Sequence, residues 1–156
     1  MALNKTDIIG GPIVRNVTPS EVSIWVALKS AAKIELSVWK GLVSAGNDGN
    51  IVESPVSSTT QDTTQIGTSL HMAVVRLSLS EDKLLSWGEI YSYNLKFTTA
   101  DNVAKDFKSL NLLDTTISYE PDQLPSFALP AKEIENLKIL HGSCRNNDVL
   151  FEDALS

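Results

Sequence analysis

A period-of-two alternation of apolar residues narrows what this chain can become more than any other feature. In residues 33–40, Ile34, Leu36 and Val38 share one face, and Lys33, Glu35 and Ser37 share the other. An extended strand projects successive side chains to opposite faces, so the segment is a strand with one dry and one wet face. The pattern recurs. Residues 21–28 align Val22, Ile24, Val26 and Leu28; residues 71–79 align Ala73, Val75, Leu77 and Leu79; residues 89–98 align Tyr91, Tyr93, Leu95 and Phe97. Trp25 points away from its row, so either something covers it or it is a surface aromatic.

Turn chemistry separates these runs. Thr18-Pro19-Ser20 breaks the chain before residue 21. Asn47-Asp48-Gly49-Asn50 is a reversal signal, because Asn, Asp and Gly tolerate positive φ at little cost. It predicts a hairpin joining residues 42–44 to residues 51–53. Residues 57–69, rich in Ser, Thr and Gln, read as a loop or an edge strand, and residues 80–88 as a connecting turn. Short strands at regular spacing predict an all-β fold, an antiparallel β-sandwich. Tyr91, near the start of a late strand, is either the tyrosine that pins a corner between sheets or a plain core aromatic.

The chain changes character after Thr99. Val103, Phe107 and Leu110 are spaced by four and three, which predicts a short helix capped by Asp101. Pro121, Pro125 and Pro130 then mark an extended connector, since proline cannot donate to a ladder. Residues 126–129 are a candidate last edge strand. A boundary near residue 130 divides a sandwich over residues 1–130 from an extension over residues 131–156.

The 156 residues suffice for a domain with its own core. Thirteen Lys and Arg against nineteen Asp and Glu give a net charge of −6, which argues against nucleic acid as a partner. No apolar run reaches the length of a bilayer span, and the charge-and-apolar pattern of a signal peptide is missing from the first residues. One cysteine excludes an internal disulfide and leaves the compartment, secreted or cytoplasmic, open.

Catalytic chemistry needs a nucleophile with a base, or a metal cluster. The two histidines are His71, on an alternating strand, and His141, just before Ser143-Cys144. Cys144 has two readings. It is a small buried hydrophobe, or a nucleophile or metal ligand at a strand's carboxyl end, where a neighbouring Arg or a metal stabilises a thiolate. Trp25, Trp39 and Trp87 either fill and flank the core or form exposed platforms for sugars and interfaces.

Two segments carry a family resemblance. Residues 11–28, Gly-Pro-Ile-Val-Arg-Asn-Val-Thr-Pro-Ser-Glu-Val-Ser-Ile-Trp-Val-Ala-Leu, resemble the opening of the alkaline phosphatase D-like (PhoD-like) metallophosphatases. The tail Leu-Lys-Ile-Leu-His-Gly-Ser-Cys-Arg, residues 137–145, resembles the strand and turn that begin that family's catalytic domain. The resemblance implies an N-terminal sandwich of fibronectin type III or immunoglobulin-like type, truncated just inside the catalytic domain. It implies a non-catalytic accessory role beside a domain of the same polypeptide that hydrolyses phosphate esters with iron and calcium. Cys144 maps onto the family's iron ligand, while no cofactor is expected in this chain itself. The Asn146-Asn147-Asp148-Val149 stretch departs from the family's His- and Pro-containing versions, and the family's later Asp, Asn and His ligands have no counterpart. The alternative reading is a stand-alone adhesion or carbohydrate-binding module.

Overall fold

The computed structural model describes residues 3–45, 51, 53–114 and 117–139. Nine strands run through them: β1 (Ile8–Thr18), β2 (Glu21–Leu28), β3 (Lys33–Lys40), β4 (Ser57–Asp62), β5 (Thr64–Gly67), β6 (Leu70–Ser78), β7 (Ile90–Thr98), β8 (Ala104–Asp106) and β9 (Ser126–Ala128). One sheet has the order β1-β2-β6-β5. The other has the order β4-β3-β7-β8, with β9 also paired to β7. All pairings are antiparallel. The architecture is the predicted antiparallel β-sandwich of fibronectin type III or immunoglobulin-like type.

The alternating rows form the core. Val22, Ile24, Val26 and Leu28 on β2 and Ala73, Val75 and Leu77 on β6 meet Ile34, Leu36 and Val38 on β3 and Tyr91, Tyr93, Leu95 and Phe97 on β7. A one-residue slip of any of these strands would turn its whole row outward, so burial fixes the register. Burial pushes the Tyr93 phenol well above its ordinary range, which keeps it neutral.

The connection from β6 to β7 crosses between sheets. The Tyr91 hydroxyl accepts a hydrogen bond from the Ser86 amide at 2.8 Å, and the Leu85 amide bonds the Pro19 carbonyl at 2.9 Å. Tyr91 is therefore the corner tyrosine, tying its strand to the loop that precedes it. In β1, the register shifts around Gly10 and Gly11. A Cβ on Gly10 would lie 3.0 Å from the Trp25 ring. The β1 backbone is thus what covers Trp25 from the outer side.

Two local expectations are corrected. The helix over residues 103–110 is instead a tight hairpin, with Asn102 at φ 56°, followed by the short strand β8 and a turn. Val103 is exposed while Phe107 and Leu110 are buried, so their helical spacing is fortuitous. Asp101 caps no helix; it accepts the Thr99 hydroxyl at 2.6 Å within the hairpin. Among the described residues, 42–44 pair with a distant segment and neither Ile51 nor Glu53 lies in a strand. Ser44 bridges Gln123, and the Leu124 amide bonds the Val43 carbonyl at 2.8 Å. The Asn47–Asn50 reversal lies outside the described residues.

The strand beside β7 is broken in two. β8 pairs with the end of β7 at Lys96 to Thr98, and β9 with its beginning at Ile90 to Ser92. Between them the chain makes an excursion whose Phe107, Leu110, Leu112, Leu113 and Leu124 are buried. Phe107 packs edge-on to Tyr93, with ring centroids 6.0 Å apart. Asn94, at mid-β7, bridges the break: its amide nitrogen donates to Asp106 at 3.1 Å, and its oxygen accepts the Phe107 amide at 3.4 Å.

Candidate functional site

Cys144 and His141 lie outside the described residues. Among the described residues no group of three or more His, Cys, Asp and Glu is placed to hold a metal. His71 sits half-buried on β6, opposite Leu28, and its Nδ1 is buried without a hydrogen-bond partner. The three tryptophans have different fates. Trp25 is half-covered, Trp87 is 44% exposed, and Trp39 is only 7% exposed. The platform reading therefore fails for Trp39, which is nearly buried beside Ile51, Glu53 and Pro55 and whose indole donates to the Glu53 carbonyl at 2.9 Å.

That covering segment creates the feature with most chemical content, a cleft of about 270 Å³ on the outer face of the β4-β3-β7-β8 sheet. Glu35, Ser37, Trp39, Asn94, Lys96 and Asp106 line it, with Ile51, Glu53 and Pro55 forming one wall. The sheet register explains the floor. Ser37 stands opposite Asn94, and Glu35 opposite Lys96, which in turn faces Asp106. Residues on the same face of neighbouring strands sit side by side, so two polar rows run across the sheet. The Asp106 turn makes the other wall, held by Asp106 Oδ1 accepting the Ser109 amide at 2.9 Å and the Ser109 hydroxyl at 2.7 Å.

Within this cleft the hydrogen bonding is uneven. Glu35 pairs with Lys96, and Asn94 and Asp106 bond each other. The Ser37 hydroxyl, on a residue 9% exposed, has no partner among the described residues, and neither does the Glu53 carboxylate. Three carboxylates face one ammonium group, so the cleft is net negative. A larger cavity of about 330 Å³ lies among Ala31, Lys33, Asp62, Thr63, Thr99 and Asn102. There Thr63 already accepts the Ala32 amide and Thr99 already donates to Asp101, so its chemistry is more fully spent.

Alternation assigned Glu35 and Ser37 to the face opposite Ile34, Leu36 and Val38, and they are there, although Ser37 is buried rather than wet. Neither Glu53 nor Asp106 was legible as their neighbour, because both walls come from irregular segments brought in by long-range packing.

No family model matches the sequence, and no curated protein matches it. Among solved structures, a chain from Bacteroides fragilis assigned as a beta-galactosidase is similar at 15% identity with a TM-score of 0.24. The match covers 60% of this chain and 15% of that one. What the chain can be assigned to is a class, the two-sheet antiparallel sandwiches.

Proposed function

We propose that this chain provides the N-terminal, non-catalytic accessory domain of a PhoD-like metallophosphatase. The partner would be the catalytic domain of the same polypeptide, which hydrolyses phosphate esters with iron and calcium. The observation that carries the reading is where the two family-like segments fall. Residues 11–28 span β1, its turn and β2, at the start of the sandwich. Residues 137–145 begin only after β9, beyond the Gly88 amide's bond to the Pro130 carbonyl at 3.1 Å. Between these points Ile134 is 78% exposed, and Ile139, in the second segment, is 77% exposed. Apolar residues presented to water just past a filled core suit a segment whose packing partners belong to another domain. Cys144 would ligate iron there; a thiolate is a strong donor to a ferric ion, which polarises phosphoryl oxygen and acidifies bound water.

The test is turnover. The purified chain, supplied with iron and calcium, is expected not to hydrolyse nitrophenyl phosphate or bis-nitrophenyl phosphate above the metal-only control. Robust metal-dependent hydrolysis by this chain alone would sink the accessory-domain reading.

A further inference from the structure

We infer that the cleft on the outer face of the β4-β3-β7-β8 sheet is a binding site for a single uncharged sugar ring. Its volume of about 270 Å³ is that of a site for a small ligand or one residue of a larger one, at the lower edge of the usual range. Its chemistry is specific. Glu53 and Asp106 offer carboxylate oxygens, which hold hydroxyl donors strongly because the acceptor is charged. The Ser37 hydroxyl, nearly buried at the floor and without a partner among the described residues, can both give and accept. With no protein group engaging it, that hydroxyl is open to a ligand hydroxyl entering the cleft. Ile51 and Pro55, with the narrow edge of Trp39 that still borders the cleft, supply an apolar flank for the C–H face of a pyranose.

The charge balance sets selectivity. Three carboxylates against Lys96, which is already paired with Glu35, disfavour an anionic ligand such as a uronic acid or a sugar phosphate. Neutral hydroxyl-rich rings fit, and the open side of the cleft admits one at the end of a glycan. The inference does not depend on the accessory-domain reading, and its test measures binding rather than turnover, so each can fail without the other.

The experiment is a titration of the full chain with the methyl glycosides of glucose, galactose, mannose and N-acetylglucosamine, followed by amide and indole NMR shifts. At least one glycoside is expected to produce saturable shifts at Ser37, Asn94 and the Trp39 indole N–H. Methyl glucuronide should bind more weakly than the corresponding glucoside. Ser37→Ala and Glu53→Gln should each weaken the best glycoside by about 2- to 10-fold, the range for one lost hydrogen bond. Both variants should keep the parent's melting temperature, and the exposed Glu53 side chain makes its variant safe for folding. Four results would overturn the site: no saturable shift at these residues with any of the four glycosides, shifts confined to another face, equal binding of the glucuronide, or unchanged affinity in both variants.

Discussion

Gly11 and Tyr91 show how single positions hold the two sheets in place. Gly11 sits at φ +85°, and a Cβ there would lie 2.7 Å from the Trp25 carbonyl oxygen. Only glycine tolerates both the angle and the approach, which is the physical content of the Gly-Pro opening of the first family-like segment. Gly11→Ala is expected to destabilise the chain by about 1–3 kcal/mol, read as a fall in melting temperature; an unchanged melt would mean that β1 can shift freely. Tyr91→Phe is a cleaner probe. It keeps the stacked ring contact with Phe127 at 5.9 Å but strands the Ser86 amide. A loss of about 1–3 kcal/mol is expected, seen as a lower urea midpoint at unchanged slope. Tyr91 was legible as one of two alternatives, a corner or a core aromatic, from its place near the start of a late strand after an apolar turn; the Ser86 bond decides for the corner. For Trp39 the core-flanking alternative holds, and what the sequence did not show is which residues cover it, since Ile51, Glu53 and Pro55 reach it only through a loop.

Among the elements, the four alternating strands were readable, as was the edge strand β9 within residues 126–129, and the β8 region was not. Strands β2, β3, β6 and β7 are central in their sheets, so their own sequence records which face is dry. β8 is three residues long, too short for any periodicity to register. Its neighbourhood mimics a helix because Phe107 and Leu110 both turn inward from an irregular excursion. What directs the chain there is Asn94, a polar residue 8% exposed whose side chain replaces the missing ladder at the break. Asn94→Ala should cost about 1–3 kcal/mol, because it leaves the Phe107 amide and one Asp106 oxygen without that partner. Hydrogen exchange localises the effect: amides at Phe107, Leu110 and Leu112 should lose protection more than those of β2 and β6. Uniform loss across both sheets would show that Asn94 supports the whole sandwich rather than the break. The cleft was half legible for the same reason, since its floor belongs to regular strands and its walls to irregular chain.

For the molecule as a whole, the boundary near residue 130 makes a sharp claim about where the cooperative unit stops. Among the described residues, the core cluster takes its last buried member from Leu129. The Gly88 amide holds the Pro130 carbonyl, and the described residues from 132 to 139 are exposed, with the short turn Ile134–Asn136 bonding only within itself. Exposed residues with local bonds add little to a two-state folding unit, because they bury little apolar surface and order few partners. A chain ending at residue 131 should therefore melt within about 2 °C of the full chain, since a shift of that size in a domain of this length corresponds to well under 1 kcal/mol. Its amide spectrum should superpose on that of the full chain for β1 through β9. A substantially lower melting temperature would show that residues beyond 131 complete the sandwich, and would remove the main support for assigning them to a neighbouring domain. The same shortened chain separates the two functional proposals. It retains every residue of the sheet cleft, so it should bind the sugar probes with unaltered affinity, while it lacks the segment that resembles the start of a phosphatase catalytic domain.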